Sequence, residues 1–112
     1  MVVGGYDDGG GQRRMELFNV TSRKWSQLAA MPTGRGLHSC GLYRGGLVAA
    51  GGWTEAEDGW NEISHSAVWW DPATANWTEL EDLKKGRTQF ALEEVNGTLT
   101  AIGGFDVSVL FV

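Results

Sequence analysis

Few side chains in this sequence have the types and spacings that chemistry requires. His38 and Cys40 occupy alternate positions. On an extended strand they would share a face, where an imidazole and a thiol can hold a metal or pair a base with a nucleophile. No carboxylate and second histidine accompany them in a recurring arrangement, so no triad can be drawn. Cys40 is the single cysteine, which excludes an internal disulfide framework and any multi-cysteine zinc site. The glycine pairs Gly4-Gly5, Gly51-Gly52 and Gly103-Gly104 suggest a phosphate cradle, but neither a Walker pattern with its lysine nor a G-x-G-x-x-G run follows them. Asn19, Asn76 and Asn96 each open an N-x-T triplet, the acceptor motif for N-linked glycans. No catalytic set, cofactor or metal site is expected.

Charge and composition narrow the partners. Acids outnumber bases 14 to 9, for a formal charge of −5, which argues against nucleic acid as the main partner. Residues 45–83 hold eight acids and no lysine or arginine. Apolar runs such as residues 47–52 are far shorter than the roughly 18 residues of a membrane span. Met1-Val2-Val3 has neither the basic n-region nor the h-region of a signal peptide. No membrane partner is expected. The chain has 112 residues, room for one small domain but not for a two-domain enzyme. Its 17 glycines and six tryptophans describe a glycine-punctuated, aromatic-rich chain of the all-β kind.

The elements that must position these residues emerge from an internal repeat. Setting Trp25 on Trp77 gives an offset of 52 that places Arg35 on Arg87, His38 on Phe90, Cys40 on Leu92 and Gly51-Gly52 on Gly103-Gly104. Backwards, Leu17-Phe18-Asn19 falls on Trp69-Trp70-Asp71. Gly4-Gly5 precedes Gly51-Gly52 by 47, so the second loop after a glycine pair is five residues longer. An aromatic follows each pair: Tyr6, Trp53 and Phe105. Residues 37–43 and 89–95 read as first strands, and 47–50 and 99–102 as second strands. Residues 15–20, 67–70 and 107–112 read as third strands, and the stretches around Trp25 and Trp77 as fourth strands. Arg44-Gly45 and Asn96-Gly97 supply hairpin turns, and Asp71-Pro72-Ala73-Thr74 another. Four antiparallel strands recurring every 40 to 50 residues or so are the pattern of a β-propeller blade.

This pattern resembles the Kelch repeat. Leu47 to Gly52, the run Val68-Trp69-Trp70-Asp71-Pro72 up to Trp77, and Met31-Pro32 followed by Arg35 and His38 carry the likeness. Phe18-Asn19-Val20 stands in place of the aromatic-Asp-Pro, Asp82-Leu83 in place of Met-Pro, and Phe90 in place of the histidine. The resemblance implies an all-β propeller fragment of about two and a half four-stranded blades. Residues 1–28 would form a blade lacking its first strand, 36–80 a complete blade, and 88–112 a blade lacking its fourth. The chain is therefore expected to belong to a longer product or to assemble from copies, with further blades closing the ring. The resemblance also implies protein recognition, often as the substrate receptor of a cullin-type ubiquitin ligase with a BTB or F-box domain attached, and a cytoplasmic setting. An extracellular, glycosylated binding module is the alternative, favoured by Asn19, Asn76 and Asn96. A propeller enzyme is the remaining one. Glu57, Asn61 and His65 resemble an iron site of the Kelch-type specifier proteins, with Asn where that motif has Asp. The ligand set of a copper-radical oxidase is not recognisable among two tyrosines, two histidines and one cysteine.

Repetition assigns roles. Gly-Gly marks a close backbone approach at a strand exit. Trp25 and Trp77 are expected to pack between blades. Phe90 and Leu92 mark the face of His38 and Cys40 as core, predicting a satisfied histidine beside a buried, inert thiol. In an up-and-down meander, residues 6–14, 29–36, 52–66 and 81–88 share one rim, and the opposite rim has only tight hairpins. Loops of variable length on a rigid scaffold build binding surfaces. Tyr6, Arg35, Trp53, Glu55, Glu57, Asp58, Trp60 and Arg87 are the candidate partner-binding residues, suited to a basic or amphipathic peptide. Arg35 and Arg87 also recur as a structural hydrogen-bonding pair would.

Overall fold

The computed structural model describes residues 1–7, 10–55 and 61–104. The first elements are β1 (Val2–Val3), β2 (Tyr6–Asp7), β3 (Gly10–Gly11), β4 (Met15–Asn19) and β5 (Lys24–Leu28). Next come β6 (Ser39–Tyr43), β7 (Gly46–Ala50), β8 (Trp53–Glu55), β9 (Asn61–Ile63), β10 (Ala67–Asp71) and β11 (Asn76–Glu79), then β12 (Ala91–Val95) and β13 (Thr98–Ile102). They form a three-stranded sheet β1-β4-β5, a four-stranded sheet β6-β7-β10-β11, and a pair β12-β13. All pairings are antiparallel. The strand expected over residues 107–112 lies outside the described residues.

The turns form for local reasons. Arg44-Gly45 and Asn96-Gly97 take left-handed backbone, with φ of 48° and 74°, and of 50° and 79°, the geometry of a two-residue hairpin turn. The Asp71 carboxylate accepts the Ala73 N–H at 2.9 Å. The Asn19 side-chain carbonyl does the same for Thr21 at 2.9 Å and Ser22 at 3.1 Å. Asparagine thus builds the turn that aspartate builds one repeat later, and the departure from the repeat is chemically neutral.

Two strand boundaries differ from expectation. β6 and β12 begin at Ser39 and Ala91 because Leu37 and Gln89 adopt φ of 53° and 54°, which no strand accommodates. The Leu37 carbonyl accepts the Thr88 hydroxyl at 2.6 Å, tying one linker to the next. The loops after the glycine pairs also contain more structure than expected: β2 pairs with β3 and β8 with β9.

Burial follows the stacking. In β7, Val48 and Ala50 face a cluster with Ala67, Phe90 and Leu92 between the second and third sheets. Ala49 on the other face joins Met31 and Val68, with Val3 and Trp77 packed alongside, between the first and second. A strand buried on both faces reads as a continuous apolar run rather than an alternating one. Gly41 lets the third sheet approach closely, since a Cβ there would lie 3.1 Å from that of Leu92.

The same hydrogen bonds recur at each sheet-to-sheet seam. Gly5 N–H donates to the Arg35 carbonyl and Gly52 N–H to that of Arg87, both at 2.9 Å. Gln12 N–H donates to Gly5, and Ser64 N–H to Gly52, at 2.8 Å in each case. Met31 N–H donates to Arg13 and Leu83 N–H to His65, so Leu83 alone, rather than Asp82-Leu83, occupies the place of Met31. Gly51 has φ of 65°, and a Cβ there would meet the Arg87 carbonyl at 2.4 Å, whereas Gly45 has open space around it.

These two glycines separate backbone strain from crowding. Gly45→Ala is expected to cost about 1 kcal/mol for left-handed backbone alone. Gly51→Ala should cost roughly 3 kcal/mol, since overpacking is added to strain. Denaturant midpoints of the two variants measure the difference.

Candidate functional site

The rim of long connections is built from the extensions of two strand pairs and from the linkers between sheets. Hairpin β8-β9 prolongs the second sheet, and its β8 end is bound to the first linker by Gly36 N–H to the Trp53 carbonyl at 3.1 Å and Trp53 N–H to the Gly36 carbonyl at 2.8 Å. The residue after β9 is held in turn, for Arg87 N–H donates to Ser64 at 3.3 Å. The rim is therefore a framework of linked backbone.

The sequence-predicted residues fare differently. Trp53 is half-buried where β8 joins the linker. Tyr6 and Glu55 stand on β2 and β8. Glu57, Asp58 and Trp60 lie outside the described residues, as does Glu57 of the spacing it forms with Asn61 and His65. Among the described residues no group of three or more His, Cys, Asp or Glu is placed to hold a metal. His65 Nδ1 instead pairs with Asp82 at 3.0 Å on the exposed rim.

Arg35 does not belong to a partner-contacting set. It is wholly buried; its Nη1 donates to the Gly51 and Ser66 carbonyls at 3.1 Å each, and its Nη2 to Ser66 Oγ at 2.8 Å. Every one of these acceptors is in the second sheet or its approach, while its own carbonyl receives Gly5 from the first. Arg87 repeats the arrangement more openly: it is half-buried, and its Nη1 donates to the Gly103 carbonyl at 3.2 Å.

Two further expectations need correction. Cys40 is exposed, unlike its counterpart Leu92, which is 7% exposed. Ser39 donates to the Phe90 carbonyl and therefore faces the third sheet. Cys40 points the other way, where the first sheet ends, among the described residues, at β1. Trp77 does bridge sheets, donating its indole N–H to the Ala29 carbonyl at 2.8 Å. Trp25 is 54% exposed and packs on Phe18 of its own sheet, ring centroids 5.1 Å apart. It stands on the outer side of the first sheet, with no further sheet against it among the described residues.

His38 is half-buried at the first seam and hydrogen-bonds the Val3 main chain, while its Nδ1 is buried without a partner. Its ring lies over Gly4, as Phe90 lies over Gly51. Burial, and then the charge of Arg35, hold the imidazole down to about 4 from an ordinary 6.5.

Sequence reasoning passed over one group. Thr33, Thr54, Ser64 and Ser66 converge on a rim cavity of about 270 Å³. No spacing signal marks them, because hydroxyl residues are common in loops and the linker that supplies Thr33 is distant in sequence.

Like antiparallel sheets, stacked face to face through a repeated seam, define a segment of a β-propeller. The particular kind follows from comparison. The Kelch motif model matches residues 1–32. The chain is 30% identical over 93 residues to Kelch-like protein 40 of Xenopus laevis, covering 83% of this chain and 14% of that protein. It is 35% identical over 97 residues to an Arabidopsis thaliana protein named for its F-box and kelch repeats, covering 80% and 28%. Alpha-scruin of Limulus polyphemus is 29% identical over 96 residues, covering 84% and 10%. The solved structure of YjhT superposes with a TM-score of 0.76 at 21% identity, covering 96% of this chain and 35% of that one. The chain is a Kelch-repeat segment of a β-propeller. It spans between a tenth and little more than a quarter of these curated relatives.

A fold that favours neutral His38 loses stability as the histidine is forced to charge. That contribution is complete above the unfolded value of 6.5 and is lost as pH falls towards 4. His38→Phe, which copies the Phe90 position, should flatten the fall in melting temperature between about pH 7.5 and about pH 4. An unchanged slope in that variant would remove His38 as its source.

Proposed function

We propose that this Kelch segment is a protein-interaction module whose long-connection rim binds a basic or amphipathic peptide segment. The observation that carries this reading is the difference between the rims. Among the described residues, one has only tight hairpins, while the other carries β2-β3, β8-β9 and the linkers on a hydrogen-bonded framework. The connection 52–66 holds Glu55, Glu57, Asp58 and Glu62 and no lysine or arginine, and Trp53 offers a half-buried aromatic surface on the same connection. Carboxylates steer a cationic segment and aromatics anchor it.

Relatives named Kelch-like and F-box/kelch-repeat support a role as the substrate-recognising part of a ubiquitin-ligase adaptor, acting by binding rather than by catalysis in the cytoplasm. No helix among the described residues is long and apolar enough to cross a membrane.

A second reading has its own support. Asn19, Asn76 and Asn96 are all exposed, each at a tight turn of the rim opposite the proposed surface, where glycans would leave binding free. Expression through a secretory pathway followed by mass measurement with and without glycosidase tests this alternative: a loss of glycan mass supports it and an unchanged mass excludes it.

The rim reading is tested by charge reversal. Glu55→Lys, Glu57→Lys and Asp58→Lys together should weaken binding of a lysine-rich amphipathic peptide by about tenfold or more at low salt, with the difference shrinking as salt is added. Equal affinity of variant and parent across the salt series would refute electrostatic capture at this rim.

A further inference from the structure

The rim cavity contains an unusual combination of donors and acceptors. Among the described residues, Thr33, Thr54, Glu62, Ser64, His65 and Ser66, with Ile63 as the apolar member, line its volume of about 270 Å³. Behind it, Arg35 Nη2 donates to Ser66 Oγ at 2.8 Å, and Ser66 N–H donates to Ser64 Oγ at 3.0 Å. The two hydroxyl oxygens are 2.9 Å apart.

Counting protons shows what is left over. A hydroxyl has one proton and two lone pairs. One of the two serines donates to the other, and in either direction the second hydroxyl proton has no acceptor within the chain of bonds. Ser64 is 9% exposed and Ser66 half-buried, so the pair meets solvent or a ligand through the cavity. Arg35 is a permanent, buried cation at the head of the chain, and it polarises both hydroxyls towards donating outward. Glu62, an exposed carboxylate on the same cavity, provides only acceptors. His65 is already paired with Asp82.

We infer that this cavity is the seat for one uncharged amide side chain, asparagine or glutamine, of the bound peptide. The amide oxygen takes the surplus serine proton, and the amide NH₂ is offered to Glu62. A carboxylate in the seat would meet Glu62 and the acid-rich segment. A lysine ammonium would meet a surplus donor backed by a guanidinium. An aliphatic side chain would leave both unmatched. Arg35 acts here as a positioning residue, through Ser66.

This inference rests on the reading of the rim as a peptide-binding surface, and the test separates the two. A random peptide library displayed on phage is selected against the chain, against the double variant Ser64→Ala/Ser66→Ala and against Glu62→Gln. The expected result is enrichment of basic residues together with Asn or Gln at one fixed position. In Ser64→Ala/Ser66→Ala, which removes both hydroxyl protons, the amide preference should vanish while the basic preference stays, and a selected peptide should bind roughly fivefold more weakly. Glu62→Gln, at an exposed position that does not threaten folding, should shift the preference at that position towards Asp or Glu. Basic peptides with no amide preference, or an amide preference indifferent to both substitutions, would overturn the seat and leave the rim reading intact. Failure to select any peptide would overturn both.

Discussion

Two small sheets stack face to face only if the chain that leaves one is caught by the next, and Arg35 does this in both directions. Its carbonyl receives the Gly5 N–H of the first sheet while its guanidinium donates to Gly51 and Ser66 of the second. The glycine pair makes that approach possible, because backbone carbonyls lie where side chains would otherwise begin. A buried guanidinium is costly unless its donors are matched; the three bonds to Gly51 and Ser66 satisfy both Nη groups, and Nε is left buried without a partner. Arg87, the glycine pair before it and Gly103 after it form the second such seam.

The seam also determines where the chain is free to vary. Between the second glycine and Gln12 in one unit, or Ser64 in the next, the backbone must return to the same bond. The five-residue difference in repeat spacing is absorbed entirely inside hairpins β2-β3 and β8-β9. Variation is thus confined to one rim and anchored at its base. Ser66 serves both purposes: its carbonyl and hydroxyl hold Arg35, and its hydroxyl extends that charge into the rim cavity. The packing that holds sheets together and the lining of the rim cavity share a single guanidinium.

Periodicity made the repeated features legible in the sequence. The offset joining Trp25 to Trp77 and the Gly-Gly pairs located β7, β10, β11 and their turns, because those residues answer to constraints that recur. Features set by position in the stack were not legible. Cys40 and Trp25 match Leu92 and Trp77 in sequence, yet they face outward because burial depends on which sheet lies opposite, not on the strand itself. Leu37 and Gln89 hid their left-handed backbone because nothing in a leucine or glutamine announces it. The serine and threonine cavity was equally hidden, since its residues come from a linker, a hairpin and a strand approach that only the fold unites.

Native-state hydrogen exchange of Arg35→Met tests the coupling of sheets through this side chain most directly. If Arg35 holds the two sheets together, the amides of Gly5 and Gly51 should lose protection together, while the β12-β13 amides exchange as in the parent. Undiminished protection at both glycines, in a variant that folds, would contradict the account.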